Sequence, residues 1–271
     1  ILWFDPLSTC SKGGFMNGVD RLPYLFGQLK LPTLKAHWQE FAENAKDNGL
    51  SYGDFLASLL DMELTVREQN RLARAQEASK LLANKTLSSF SFASSKQISQ
   101  MQIEQYANDG SWVKKRENLI LIGPSGTGKT HLACAIGYQL LQAGTKVLFS
   151  NTTLLVQALQ KAKAELTLNK MLEKLARFEL LILDDIGYVR KSEQETSALF
   201  ELIESRYETG SLIITANQPF SQWQELFPDP IMAVAAVDRL IHHANIIHIE
   251  DESYRAKQAR LKNKQKEEVL T

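Results

Sequence analysis

The fold of this chain is decided by the stretch Gly123-Pro124-Ser125-Gly126-Thr127-Gly128-Lys129-Thr130. The apolar run 119–122 precedes it, and a second apolar run, 132–136, follows it. This context predicts a strand, a glycine-rich loop and a helix, the arrangement in which G-x-x-x-x-G-K-[ST] binds phosphate. The glycines let backbone N–H groups face an anion, and the helix adds the positive end of its dipole. The alternative is a glycine-rich turn with a chance Lys-Thr pair, which the flanking strand and helix disfavour.

The composition limits the class of protein. With 271 residues, 44% of them apolar, the chain is long enough for one or two globular domains with a sizeable core. Its formal net charge is zero, so nucleic-acid binding would have to come from local basic patches.

Cysteine usage and hydropathy bear on the compartment. Cys10 and Cys134 are far apart in the sequence, which argues against a zinc site or a disulfide framework and fits a reducing compartment. No apolar run reaches the ~18 residues of a membrane span. The first residues also lack the layout of a signal peptide. We therefore expect a cytoplasmic protein without a membrane partner.

The pattern along the chain predicts a small all-α domain followed by an α/β domain. Residues 22–89 have helical spacing, with an apolar stripe formed by Phe55, Leu59, Leu60 and Leu64. Residues 86–96 are rich in Ser and Phe and have no helical or strand period, which indicates a linker. Beyond it, strands alternate with helices, which predicts a doubly wound parallel sheet.

These observations set the expected domain boundaries. We expect a non-native or disordered leader at 1–15 and a helical domain at 16–88 that binds DNA or a partner. An ATPase-type α/β domain would follow at 89–257, and a charged tail at 258–271. Within the linker, Phe90 and Phe92 either pack on the next domain or flank a nucleotide base.

Two carboxylates follow a second buried strand. Four apolar residues, 180–183, lead directly into Asp184 and Asp185. Beside the phosphate loop, Asp184 can lie next to the Mg²⁺ that the Thr130 hydroxyl would bind. Asp185 can orient or deprotonate a water near the γ-phosphate, whose oxygens the Lys129 ammonium would reach. The alternative is a pair of acids that favours a helix dipole.

Three later residues are candidates for contact with the γ-phosphate. Asn217 ends the strand predicted over 211–217, where its amide can donate to the phosphate or hold the attacking water; otherwise it is a turn asparagine. Arg239 and Arg255 can stabilise transition-state charge, either in the same chain or in a neighbour, or can form surface ion pairs.

Together these motifs resemble those of the IstB/DnaC branch of AAA+ ATPases, and within it the IstB-type transposition helpers. The resemblance rests on the run from Trp112 through the phosphate loop to Ala133, and on the acidic strand with its continuation Ile186-Gly187-Tyr188. The helical entry at 31–34, in place of a cysteine-bearing zinc domain, favours the IstB type. The resemblance covers about residues 31–257.

The resemblance implies a P-loop AAA+ fold and a role for each matching residue. The implied nucleotide contacts are Gly123, Pro124, Ser125, Gly126, Thr127, Gly128, Lys129, Thr130 and His131. The implied metal ligands are Thr130 and Asp184. The implied catalytic residues are Lys129, Asp185, Asn217 as sensor 1, Arg239 as the arginine finger and Arg255 as sensor 2.

The resemblance also implies cofactors and partners. It implies ATP and Mg²⁺ as cofactors, double-stranded DNA and an IstA-type transposase as partners, and ATP-dependent self-association into a ring or filament. The helical insert at 154–177 lies where initiator- and loader-type relatives contact DNA, and phosphate contacts suit its basic residues. Those residues are Lys161, Lys163, Lys170, Lys174 and Arg177.

We therefore expect a slow, partner-stimulated ATPase that assembles on duplex target DNA and assists a transposase. Three alternatives share the phosphate loop: a DnaC-like replicative helicase loader, a small-molecule kinase and a nucleotide-gated binding module with negligible turnover. The partner protein distinguishes the helicase loader, phosphoryl transfer to water distinguishes the kinase, and the rate of ATP turnover distinguishes the binding module.

Overall fold

The computed structural model describes residues 18–92, 98–186, 193–219, 222–223, 229–250 and 253. The first part of the chain contains three helices, α1 (Gly18–Gln28), α2 (Pro32–Asp47) and α3 (Tyr52–Ser79). Two short helices then lead to the sheet, α4 (Gln100–Asn108) and α5 (Ser111–Lys114). The remaining elements are β1 (Asn118–Ile122), α6 (Lys129–Gln142), β2 (Val147–Asn151), α7 (Thr152–Ala164), α8 (Leu168–Ala176), β3 (Leu180–Asp184), α9 (Glu193–Arg206), β4 (Ser211–Ala216), α10 (Pro230–Ile241) and β5 (Ala244–His248).

The five strands form one parallel sheet in the order β2-β3-β4-β1-β5. This architecture confirms the predicted fold class. Because the strands are parallel, the carboxyl ends of β1, β3 and β4 meet at one edge of the sheet. That edge is where open α/β sheets bind their ligands.

Alternate residues of the strands build two apolar layers, one on each face of the sheet. Ile120 and Leu181 belong to the layer that packs with α7, α8, α9 and α10. Leu119 and Ile182 belong to the layer that packs with α4 and α6. The central strands are therefore buried on both faces, which explains their nearly continuous apolar sequence.

The boundary between the two compact units lies inside α3, between Arg71 and Leu72. It comes before the predicted boundary at 88/89, because Leu72 and Ala75 already pack against the α6 side of the sheet core. The Ser/Phe-rich segment belongs to the same unit, and its Phe90 and Phe92 also pack there. Within residues 86–92 this segment therefore forms part of the α/β unit.

The prediction of an apolar stripe on α3 was wrong for two of its members. Leu60 and Leu64 are exposed, whereas Leu59 is buried together with an acidic residue, Glu63. Leu59 and Glu63 lie four residues apart, so they share one face of the helix. The buried face of α3 thus includes a carboxylate that hydrophobic spacing does not reveal.

The Glu63 carboxylate caps the start of α2. Its Oε2 accepts hydrogen bonds from the backbone N–H groups of Thr33 and Leu34, at 2.9 and 3.1 Å. Its Oε1 accepts from Arg67 Nε at 2.8 Å, and Arg67 also donates to the carbonyl oxygen of Lys30. Because the N-cap residue, Leu31, makes no side-chain capping hydrogen bond, the first N–H groups of α2 are satisfied by a side chain that is remote in the sequence.

The predicted helical insert is two helices, α7 and α8, separated at residues 165–167. Arg206 holds the end of α8 against the sheet, since its guanidinium donates to the carbonyl oxygens of Leu175, Phe178, Glu179 and Ser211. Burial, chiefly, and the nearby Arg116 lower the pKa of Arg206 to about 10, so it stays charged at neutral pH. A cation at the carbonyl end of a helix is favourable.

Among the helices in the part of the chain described by the structure, none combines the length and the apolar character needed to cross a lipid bilayer.

Replacing Glu63 with Gln should weaken the first helices. Burial raises the pKa of the Glu63 carboxyl, but the bonds from Leu34, Arg67 and Thr33 outweigh it and lower that pKa overall. The stabilisation is therefore complete above the unfolded pKa of about 4.3 and is lost as the pH falls through the lower folded pKa. We expect Glu63→Gln to cost about 1–3 kcal/mol at pH 7, with faster hydrogen exchange at the amides of Thr33 and Leu34.

The matched control for this change is Glu68→Gln. Glu68 pairs with Arg71 on the exposed side of α3 and does not cap α2. Equal exchange rates at Thr33 and Leu34 in the Glu63→Gln and wild-type proteins would contradict the capping role.

Candidate nucleotide-binding site

The phosphate loop joins β1 to α6, and its shape requires glycine at particular positions. Gly126 and Gly128 have φ angles of 85° and 96°, in the left-handed region that side chains rarely adopt. A Cβ on Gly128 would lie 2.7 Å from the Phe90 ring, and a Cβ on Gly123 would lie 2.0 Å from the carbonyl oxygen of Ile249. Side chains at these positions would change the curvature of the loop.

Lys129 is the first residue of α6, and its ammonium group turns back across the loop. Its Nζ donates to the carbonyl oxygens of Gly123 and Pro124, at 2.7 and 2.8 Å. The side chain is only 8% exposed, so the positive charge lies within the curve of the loop. A phosphate group entering the loop would meet this charge and the positive end of the α6 dipole together.

Three threonine hydroxyls converge on Asp184 at the end of β3. Thr130 Oγ1 and Thr215 Oγ1 both donate to Asp184 Oδ1, at 2.8 and 2.7 Å. Thr152 Oγ1 donates to the backbone carbonyl oxygen of Asp184 at 2.8 Å. The threonines come from α6, β4 and α7, so separate elements fix the carboxylate and its backbone.

This arrangement fits a magnesium ion. Mg²⁺ prefers oxygen ligands at about 2.0–2.1 Å in an octahedron, in which neighbouring ligands lie about 2.9 Å apart. The Thr130 hydroxyl and the Asp184 carboxylate are two such oxygens, with 2.8 Å between them at the mouth of the phosphate loop. The donor set therefore suits Mg²⁺ bound between these two residues and a triphosphate.

The second carboxylate and the asparagine lie at the same edge of the sheet. Asp185 has a φ angle of 62°, rare for a residue with a side chain, and its N–H donates to Thr215 Oγ1 at 2.8 Å. Asn217 directly follows β4, and its side-chain Oδ1 is buried without a hydrogen-bond partner among the described residues. Because a buried acceptor is rarely left unpaired, this oxygen is suited to accept from a water molecule or ligand.

His131 is bound to the Ser/Phe-rich segment. Its Nε2 lies 2.9 Å from the carbonyl oxygen of Thr86 and 3.1 Å from Ser89 Oγ, and its ring meets Phe90 edge-on with centroids 5.2 Å apart. Since a carbonyl oxygen only accepts, Nε2 carries the proton. Burial, chiefly, lowers the pKa of His131, which favours the neutral form of the ring. His131 thus connects α6 to residues 86–90, which form a wall beside the phosphate loop.

The predicted arginine finger is not part of its own chain's phosphate site. Arg239 lies near the end of α10, where Asn118 donates to the carbonyl oxygen of Leu240. Asn118 begins β1, so this region is at the amino edge of the sheet, opposite the phosphate loop. Arg239 Nε pairs with Glu204 at 2.6 Å, and its guanidinium lies over the Phe200 ring. Arg255 lies outside the described residues.

The basic residues of α7 and α8 differ in their surroundings. Lys163 is bound to Glu201 and Ser197, and Lys161 lies 3.8 Å from Glu165. In α8 and at its end, Lys170, Lys174 and Arg177 are exposed and share one helix face at i, i+4 and i+7. Within the described ranges, no ion pair involves these three residues.

Several residues of the site went unnoticed or unassigned in the sequence. Thr215 was missed, although it precedes Asn217 by two residues, and strand alternation places the two on one face. Thr152 was also unassigned, because its contact with Asp184 joins residues that are distant in the sequence. Phe90 was left between two roles, and no spacing rule places it against Gly128.

The chain matches known proteins along most of its length. It matches the family described as IstB-like ATP binding protein over residues 25–262. It is 48% identical over 239 residues to an insertion sequence ATP-binding protein of Sinorhizobium fredii, covering 88% of this chain and 80% of the relative. It is 38% identical over 250 residues to the ATP-binding protein of insertion sequence IS21 from Pseudomonas aeruginosa, covering 92% of each.

Two solved structures share the fold. DnaA from Aquifex aeolicus with AMPPCP bound is 25% identical, with a TM-score of 0.51, covering 69% of this chain and 56% of that one. The crystal structure of the DnaC helicase loader is 22% identical, with a TM-score of 0.53, covering 62% of this chain and 98% of that one. At 22% identity, the likeness to DnaC is evidence of the fold alone.

Replacing Gly128 with Ala should weaken nucleotide binding while the sheet stays folded. The new Cβ would require an unfavourable backbone angle and would clash with Phe90. We expect at least about a tenfold loss of affinity for a fluorescent ADP analogue, because the backbone N–H groups would no longer face the phosphates.

Gly144→Ala separates this effect from general strain. Gly144 follows α6 with a φ angle of 99°, and a Cβ there would meet nothing within 4 Å. It should cost about 1 kcal/mol of stability and leave nucleotide affinity unchanged. Equal affinity in the two alanine variants would show that Gly128 does not shape the site.

Proposed function

The chain belongs to the IstB-like ATP-binding family, and from this premise we propose that it is an ATPase that assembles on double-stranded DNA and assists a transposase. One observation carries the enzymatic part: Thr130 of the phosphate loop contacts Asp184 at 2.8 Å, with the buried Asn217 oxygen at the same sheet edge. The relatives named as insertion sequence ATP-binding proteins support the transposition part.

Hydrolysis would use residues at the carboxyl edge of the sheet. The Lys129 ammonium would bind the β- and γ-phosphates, and Thr130 and Asp184 would hold Mg²⁺, which neutralises charge on the phosphate oxygens. Asp185 and Asn217 would orient the attacking water, and Asp185 would accept its proton. Asp185 is one methylene shorter than glutamate, which is in keeping with slow turnover in the absence of a partner.

Arg239 would act on the nucleotide of a neighbouring copy. It lies at the edge of the sheet opposite its own phosphate loop, so it can stabilise transition-state charge only in another protomer's site. Glu204 holds its guanidinium in place at 2.6 Å. Shared sites of this kind make assembly depend on nucleotide, because ATP then contacts two protomers at once.

DNA would bind along α8. The exposed basic face of Lys170, Lys174 and Arg177 can contact phosphates without reading sequence. Arg67 and Arg71 in α3, by contrast, are hydrogen-bonded to Glu63 and Glu68. Lys170, Lys174 and Arg177 would therefore supply the phosphate contacts of the insert between β2 and β3.

Mixing two inactive variants tests the shared site. Asp185→Asn lacks the water-activating carboxylate, and Arg239→Ala should lose about 10³-fold in rate through its missing arginine. A random equal mixture should recover about a quarter of the wild-type ATPase rate, since about one interface in four combines the two intact halves.

The control mixes Asp185→Asn with Lys129→Ala, whose defects lie in the same pocket and cannot complement. A shared site would be contradicted if the ATPase rate recovered in this control mixture, or if it did not recover in the mixture of Asp185→Asn with Arg239→Ala. Phosphate release to water in these assays also excludes a small-molecule kinase.

Neutralising the basic face of α8 tests the DNA contact. The triple change of Lys170, Lys174 and Arg177 to Gln should weaken duplex DNA binding and reduce the salt slope by about 3, near 1 per lost phosphate contact. The matched control is Lys161→Gln with Lys163→Gln, since these residues lie near Glu165 and Glu201. A salt slope that changes only in the control would move the DNA contact to α7.

A further inference from the structure

Thr215 occupies a position in the site that the proposed hydrolysis does not use. It lies in β4, the strand between β1 and β3, and its side chain is 1% exposed. Its hydroxyl donates to Asp184 Oδ1 at 2.7 Å, and Thr215 Oγ1 also accepts from the N–H of Asp185 at 2.8 Å. One hydroxyl therefore holds both members of the acidic pair.

The orientation of the Thr215 hydroxyl is fixed by its hydrogen bonds and its backbone. A hydroxyl has a single proton, and it donates this proton in the hydrogen bond to the Asp184 carboxylate. The Asp185 N–H therefore donates to a lone pair of the hydroxyl oxygen. The β-branched side chain is stiff about its first torsion, and its backbone is fixed by the sheet. Asp184 is thus oriented from the interior of the protein.

The same contact supports an unusual backbone. Asp185 adopts a φ angle of 62°, an unfavourable conformation for a residue with a Cβ. Its N–H is bound by the Thr215 hydroxyl, and the next N–H, that of Ile186, donates to the Thr215 carbonyl oxygen at 3.0 Å. Thr215 therefore fixes the turn in which the second carboxylate lies.

Thr130 cannot replace the hydrogen bond from Thr215 to Asp184. Thr130 also donates to Asp184 Oδ1, but its hydroxyl is the expected ligand of the metal ion, so its position depends on the ion. The Thr215 hydroxyl lies on the strand side, where both of its contacts are with protein groups. The Thr215 bond to the carboxylate is therefore available before and after metal binding.

From this geometry we propose that Thr215 is a positioning residue for divalent metal: its hydroxyl orients the Asp184 carboxylate toward the cation and sets the backbone of Asp185. The proposal deepens the nucleotide site of the proposed function and rests on it. Partners of metal ligands that act in this way typically contribute 10–100-fold to metal affinity, by order of magnitude.

The test measures binding of a fluorescent ADP analogue as Mg²⁺ is titrated, for Thr215→Val and Thr215→Ser. Valine keeps the shape and removes the hydroxyl, so the half-saturating Mg²⁺ concentration should rise about 10–100-fold. Binding in EDTA should stay within about twofold, since the phosphate loop is untouched. Serine keeps the hydroxyl and should restore Mg²⁺ dependence to near the wild-type value.

Ser211→Ala is the matched control, because it removes another buried hydroxyl at the opposite end of the same strand. The proposal would be overturned if Thr215→Val had the wild-type half-saturating Mg²⁺ concentration. It would also be overturned if this variant lost as much nucleotide affinity in EDTA as in Mg²⁺. If the valine variant does not fold, Thr215→Ser and Thr215→Ala repeat the comparison, and equal Mg²⁺ dependence in that pair would overturn it. A wild-type protein that binds nucleotide with Mg²⁺ but does not hydrolyse ATP would refute only the proposed function.

Discussion

The hydrogen bonds that bind the Asp184 carboxylate to two threonine hydroxyls are the contact on which the site depends. They join the helix after the phosphate loop, through Thr130, to the central strand, through Thr215, so Asp184 links the loop's helix, the acidic strand and the central strand. Buried hydrogen bonds to a charged group are among the stronger ones in proteins. Because parallel strands bring these ends together, the fold supplies both the residues and their spacing.

The two edges of the sheet would have different functions. The carboxyl edge holds the groups that would bind phosphate, metal and water, whereas the amino edge holds Arg239 against Glu204 and Phe200. An arginine so placed is useful to catalysis only if protomers stack edge to edge. The basic face of α8 is attached to the same sheet through Arg206, so the proposed contacts with nucleotide, neighbour and DNA would share one framework.

Local patterns in the sequence predicted the parallel sheet, the phosphate loop and the acidic strand, because apolar runs and glycine spacing report directly on strands and turns. They did not reveal Glu63, whose partners at Thr33 and Leu34 are distant in sequence, and they led to an apolar stripe that Leu60 and Leu64 do not follow. Sequence patterns also did not reveal that Leu72 and Ala75 of α3 pack against the sheet core, a contact that only the tertiary structure creates. Thr215 had a usable signal, its alternation with Asn217, but a threonine in a buried strand usually serves packing alone.

Metal binding by Asp184 at the triphosphate can be measured by electron spin resonance of Mn²⁺ bound to the protein with a non-hydrolysable ATP analogue. Mn²⁺ replaces Mg²⁺ in oxygen sites, and its coupling to phosphorus nuclei reports contact with the triphosphate. If Asp184 holds the metal ion against the triphosphate, the wild-type protein should show phosphorus-coupled Mn²⁺, and Asp184→Asn should lose that signal. An undiminished signal in Asp184→Asn, or bound Mn²⁺ without phosphorus coupling in the wild type, would contradict this role of Asp184.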